Sequence, residues 1–151
     1  MSANGFHLAQ LNVATLLAPL DDPRLAEFVA NLDRVNALAE AAPGFIWRLK
    51  GEGNDATLLR PFGESVIVNM SVWQSVETLF DFVYRTSHAL VMNMRRQWFA
   101  KPEGPYMALW WIAAGRLPTL EEAGERLARL TREGPSRAAF TFKQRFPAPE
   151  G

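Results

Sequence analysis

The chain has 151 residues, enough for one domain with a sizeable core and not comfortably for two. Its 16 Lys and Arg balance 16 Asp and Glu, which argues against a nucleic-acid or anionic-membrane partner, since both need a basic excess. There is no cysteine, so disulfides, thiolate nucleophiles and thiolate metal sites are excluded together.

The amino-terminal run MSANGFHLAQLNVATLL lacks a positively charged start and a small-residue cleavage site. No apolar run reaches the roughly 18 residues a membrane span requires. The expectation is a cytoplasmic protein with no membrane contact, folded as a single domain over residues 1–151.

His7 to Leu17 reads as a first strand. Asp22 and Pro23 suit a helix start, as side-chain cap and first-turn residue. Leu25, Phe28, Val29, Leu32, Val35 and Ala39 then recur at helical spacing, and Pro43-Gly44 stops the helix. FIWRLK follows as a short strand, GEGNDA as a loop, and the β-branched run SVIVNMSVW as a third strand. A long helix begins near Ser75. YMALWWIAA is a fourth strand. Thr119 to Glu122 reads as a capping box opening a helix that ends at Gly134-Pro135. AAFTFKQRF alternates Phe140, Phe142 and Phe146 against Thr141, Lys143 and Arg145, the pattern of a final strand.

The order β-α-β-β-α-β, followed by an added helix and strand, predicts an α+β class and a ferredoxin-like split βαβ unit. Its sheet carries two helices on one face. The other face needs cover, and a second subunit is the economical one, so a homodimer is expected through that face.

The long helix holds the most informative side chains. At roughly 100° per residue, Val76, Leu79, Phe80, Val83, Leu90, Val91, Met94 and Trp98 fall within about 60° of one line. Tyr84, His88 and Arg95 lie together along one flank of that stripe. The flank position permits a pocket wall. It equally suits residues that bury a stem and keep a polar tip wet.

Gln10 and Asn12 share one face of the first strand, and Asn69 and Ser71 share one face of the third with Trp73. Buried amides without partners cost on the order of 1–3 kcal/mol each. This strip is therefore a satisfied structural network, a subunit contact or the polar end of a ligand pocket. Trp47, Trp110 and Trp111 also lie on strands, where tryptophans serve core or interface more often than ligands.

SVWQSVETLFDFVYRTSHALVM resembles the strand-to-helix segment of the antibiotic-biosynthesis monooxygenase-like proteins, which form the dimeric α/β-barrel superfamily. Trp73 closing the third strand and Ser87 before His88 carry the likeness. HALVMNMRRQWFAKPEGPYMALWWIAAGRLPT resembles, more narrowly, an uncharacterised bacterial domain family in that superfamily. The resemblance implies a pocket between helices and sheet. It implies catalytic roles for His88, Tyr84 and Asn12, and Asn69, Trp73, Arg95 and Trp98 are the expected substrate-binding residues.

Three readings follow. The first is a small oxygenase-like enzyme acting on an apolar aromatic or polyketide-like molecule without flavin or metal. The second is a haem-binding protein or haem enzyme with His88 as ligand. The third is a non-catalytic ligand-binding or stress-related dimer. The spacing of Trp and His along the helix does not reproduce that of the haem-degrading members. P-loop, Rossmann, nucleophile-elbow and HExxH motifs are absent, and two histidines without cysteine make a protein-only metal site unfavourable. The third strand lacks the basic and aromatic run of an RNA-binding βαββαβ domain.

Overall fold

A computed structural model describes residues 5–50, 57, 59–87, 98–102 and 104–149. In chain order it contains β1 (Phe6–Thr15), a 3-10 turn (Pro23–Leu25), α1 (Ala26–Ala41), β2 (Phe45–Arg48) and β3 (Val66–Trp73). Then come α2 (Val76–Phe82), a π-helical turn (Val83–Ser87), β4 (Met107–Ala113) and α3 (Leu120–Glu133). The sheet is antiparallel with order β2-β3-β1-β4, the ferredoxin-like arrangement the element order predicts.

Local signals set the helix ends. The Asp22 carboxylate accepts from the Arg24 N–H at 2.9 Å, and this bond, foremost among the causes, holds its carboxyl below the ordinary value. Ser75 and Thr78 form a reciprocal capping box at the start of α2. Thr119 Oγ1 accepts from the Glu122 N–H at 3.1 Å, as read from the sequence. The other half of that expected box is replaced. The Glu122 carboxylate instead accepts from Trp110 Nε1 at 2.8 Å and pairs with Arg116.

The two sheet faces have separate cores. Ala9, Leu11, Val68, Met70, Val72, Ala108, Trp110 and Ile112 point to one side and meet Ala123 and Leu130 of α3. This is the face on which the sequence predicts a second subunit. The added helix covers it from within the chain, so the apolar strand residues do not call for a partner there. Leu8, Trp73 and Leu109 point the other way and meet Val76 and Leu79 of α2.

A bulge in β2 decides which of its residues reaches which face. Phe45 opposes Trp73 and Arg48 opposes Ser71, with the register shift between Phe45 and Trp47. Trp47 therefore joins the α3 side, while Phe45 and Arg48 face the α1–α2 side.

Two expected elements differ. The helix after Ser75 is not one uniform α-helix. The Val83 N–H is shared between the carbonyls of Leu79 and Phe80, and the chain passes into the π turn. A π turn advances fewer degrees per residue than an α turn, so the uniform angular reckoning stops holding beyond Val83. Leu90, Val91 and Met94 lie outside the described residues.

The final segment is not a strand. Phe140 makes an isolated bridge with Leu109 at the free edge of β4, exchanging two backbone hydrogen bonds of 2.8 and 2.9 Å. Beyond it the backbone turns, with the Gln144 N–H on Thr141 Oγ1. The alternation of Phe140, Phe142 and Phe146 reflects packing beside Leu8, Trp73 and Leu79, not a ladder.

Glu122 gives a pH-dependent contribution to stability. Burial pushes its carboxyl up, but hydrogen bonds from Arg116 and Trp110 and the charges of Arg116 and Arg126 outweigh it and hold it below the ordinary 4.5. A depressed folded-state pKa means that the unfolded chain takes up the proton first. The contribution is complete above 4.5 and is lost as pH falls through the folded value. The gap in urea midpoint between wild type and Glu122→Gln is expected to shrink as pH is lowered through this range. A gap that is constant with pH would contradict it.

Candidate functional site

A cavity of about 340 Å³ lies between α1 and the sheet, extending to α2 and the π turn. It exists because α1 stands off the sheet. Phe28, Leu32, Val35 and Ala39 form the apolar face of α1, yet all four are only half-buried, and all line the cavity. Val29, assigned to that face by spacing, is 42% exposed and points away.

The floor is the polar strip of β1 and β3. Asn12 sits directly opposite Asn69, and Gln10 opposite Ser71. Gln10 Nε2 donates to Asn69 Oδ1 at 2.6 Å and to Ser71 Oγ at 2.8 Å. Asn12 Nδ2 donates to Gln10 Oε1 at 3.2 Å. Trp73 Nε1 donates to Ser71 Oγ at 2.8 Å. Gln10 and Ser71 are buried, so the network's centre is fixed by the sheet, while Asn69 is exposed and Asn12 half-buried. The strip thus lines the cavity and is internally satisfied at its centre.

The ends and walls are aromatic. Trp73, buried at the end of β3, packs edge-on against Phe45 and stacks with Phe82 at 5.3 Å between centroids. Trp98 closes the other end among Phe28 and Phe99, with Leu25 and Ile67 in the same cluster. Its Nε1 is buried and has no hydrogen-bond partner among the described residues. Tyr84, on the π turn, also lines the cavity but is 47% exposed, its ring 4.3 Å from that of Phe80.

Among the described lining residues there is no Asp, Glu, Lys or His, and the cation is Arg48. Its guanidinium is buried and donates to Glu40 Oε2 at 3.2 Å. The displaced pKa values at His7, Asp22 and Glu122 belong to groups outside the cavity. At His7 burial pushes the imidazole below 6.5. No group of three or more His, Cys, Asp or Glu is placed to hold a metal among the described residues.

The structure thus brings together Asn12, Asn69, Trp73, Trp98 and Tyr84 around one cavity. His88 and Arg95 lie outside the described residues, as does any haem ligation by His88. Sequence reading had not assigned Arg48 and Asn36 to the site. Asn36 is a buried polar residue one position after Val35 on the cavity face of α1, a signal that was available. Arg48 reaches the cavity only through the β2 bulge, for which the sequence carries no marker.

The two tryptophans differ in a testable way. Trp73→Phe and Trp98→Phe remove the same atoms, but only the first strips a donor from the buried Ser71 hydroxyl. Trp73→Phe is expected to destabilise by about 1 kcal/mol more than Trp98→Phe in urea unfolding. Equal losses would contradict the assigned hydrogen bond.

A ferredoxin-like α+β sheet with helices over a cavity on one face, and a third helix on the other, is the class that fold and site define. Within it, the chain belongs to the family described as Domain of unknown function (DUF3291), whose model matches residues 7–151. No curated protein sequence matches the chain. Similar solved structures include SnoaB, a cofactor-independent oxygenase from Streptomyces nogalater. It has 18% identity, covers 75% of this chain and 98% of its own, and gives a TM-score of 0.49. A protein of unknown function from Nitrosomonas europaea has 18% identity, coverage of 78% and 99%, and a TM-score of 0.47. A monooxygenase from the ActVA-Orf6 gene of Streptomyces coelicolor, in complex with nanaomycin D, has 15% identity, coverage of 76% and 93%, and a TM-score of 0.41.

Proposed function

We propose that the cavity binds an apolar aromatic or polyketide-like small molecule, and that the protein is a small oxygenase-like enzyme acting on it without flavin or metal. The observation that carries this reading is the cavity's make-up: aromatic ends, apolar walls and one hydrogen-bonding strip, in a volume suited to a small ligand. The run from Trp73 to His88, which resembles the monooxygenase-like proteins, supports the reaction class.

The chemistry suits such a floor. A substrate carbonyl accepting from the free amino end of the amide strip gains negative charge as its neighbouring C–H is deprotonated, so that donor holds the enolate more tightly than the ketone. His88 is the proposed base, with Tyr84 at the exposed side of the cavity and Arg95 as a further binding residue. The enolate supplies the electrons for dioxygen. A ring CH2 becomes C=O, one oxygen atom is retained and the other leaves as water.

The test is oxygen uptake with anthrone. The expected result is dioxygen consumed in equal moles to the quinone formed, with Asn69→Ala lowering kcat on the order of 10²-fold. Binding of the probe without uptake above the protein-free rate would favour the non-catalytic reading. The homodimer is also a proposal, now through a surface other than the one α3 covers. Val29, Leu38 and Ile46 leave α1 and β2 with exposed apolar side chains that such a surface would use. Light scattering should give twice the 16.9 kDa of the chain, and a monomer mass would overturn it. No helix among the described residues is long and apolar enough to cross a membrane.

A further inference from the structure

The amide strip on the cavity floor has a property that narrows its ligand. Asn12, Gln10 and Asn69 form a relay in which each hydrogen bond uses one end of an amide. Asn12 Nδ2 gives to Gln10 Oε1, and Gln10 Nε2 gives to Asn69 Oδ1. The Asn12 carbonyl oxygen and the Asn69 amino group are then the ends with no hydrogen bond among the described residues. If all three amides are turned over, the relay runs the other way and is equally complete, with Ser71 donating to Gln10. Asn12 then shows its amino group and Asn69 its oxygen. In either sense the two ends have opposite character, because a head-to-tail chain cannot end in two donors or two acceptors.

Those ends are neighbours. Asn12 and Asn69 are directly opposed on adjacent antiparallel strands, where Cβ atoms lie roughly 4.5–5.5 Å apart. Both line the cavity, and the buried Gln10 that joins them is held by Ser71, itself held by Trp73. The floor therefore presents one donor and one acceptor side by side, on a rigid sheet, between aromatic ends and with no carboxylate in the described lining.

From this we infer that the cavity selects a neutral planar ring bearing a lactam edge, an N–H beside a C=O. This inference rests on the cavity being a small-molecule site, and it names the ligand class that the site prefers. A lactam edge satisfies both amide ends at once. An aryl ketone whose adjacent hydroxyl is hydrogen-bonded to its own carbonyl turns that hydrogen inward and offers only acceptors. A lactone offers only acceptors too. Each would leave the acceptor end of the relay facing an oxygen, which loses one hydrogen bond and sets two acceptors against each other.

The experiment is calorimetric titration of the full chain with 2-quinolone, N-methyl-2-quinolone and coumarin, three probes of nearly the same shape. The first has the lactam N–H, the second has it blocked and the third replaces it with oxygen. 2-Quinolone is expected to bind roughly tenfold more tightly than either of the others, the worth of one well-placed hydrogen bond. Asn12→Leu, which removes the acceptor end in the recorded sense of the relay, should bring 2-quinolone down to the coumarin level. Should that variant fail to fold, the three-probe series on the wild-type chain decides alone. Equal binding of all three probes would overturn the lactam inference while leaving the cavity as a small-molecule site. Binding of none would overturn both.

Discussion

Replacing Trp110 with alanine is expected to destabilise the protein by about 3–5 kcal/mol, read from the shift in urea or guanidinium midpoint. Trp110 is fully buried on the α3 side of the sheet, opposite Ala9 and in one cluster with Ala123 and Leu130. Small neighbours cannot collapse into the space a lost indole leaves, so the cavity cost adds to the lost burial. The change also removes the hydrogen bond that Trp110 Nε1 gives to Glu122. Against a total stability of about 5–15 kcal/mol for a domain of this kind, the loss is a large fraction. A loss below about 1 kcal/mol would mean that α3 does not cover this face. The same measurement therefore tests why the sheet needs no partner on that side.

Gly44→Ala is expected to cost about 2–4 kcal/mol, from two sources. Gly44 has φ +83, a conformation that L-residues adopt at a cost of about 1–2 kcal/mol. A β-carbon there would also lie 2.5 Å from Thr78 Cβ and Cγ2. Thr78 cannot simply turn aside, because its hydroxyl and backbone N–H hold the capping box with Ser75 at the start of α2. The Gly44 carbonyl meanwhile accepts from the Gln74 N–H at 2.8 Å, tying the turn before β2 to the end of β3. Gly115→Ala is the control: φ is +88, but nothing lies within 4 Å of the added carbon, so it should show backbone strain without the contact. If the two variants lose equal stability, the contact between Gly44 and Thr78 is not the tight one described.

What the sequence made legible follows from how local each signal is. Asp22, Ser75, Thr119 and Gly134 mark helix ends through bonds to their own neighbours in the chain, and each stands at the start or end it predicts. The alternation of Gln10, Asn12, Asn69 and Ser71 placed these residues on single strand faces, and ferredoxin-like pairing of β1 with β3 brought them into one strip. The illegible features depend on distant partners. Glu122 left its cap for Trp110 and Arg116, partners on another element and in the loop before α3 that no local pattern marks. The β2 bulge, which sends Trp47 to one face and Arg48 to the other, is a matter of register with β3. Phe140 and Phe142 alternate like a strand but end in turns, since only Phe140 finds a ladder partner. The cavity itself comes from the distance between α1 and the sheet, which no periodicity in α1 encodes.

A ligand seated between α1 and the amide strip is detected by following side-chain N–H resonances as 2-quinolone is added to ¹⁵N-labelled protein. The amide groups of Asn12, Gln10 and Asn69 and the indole N–H of Trp73 are predicted to shift together, while the indole N–H of Trp110, on the far side of the sheet, stays in place. Shifts centred on Trp110, or none at the three amides while the probe binds, would place the ligand elsewhere.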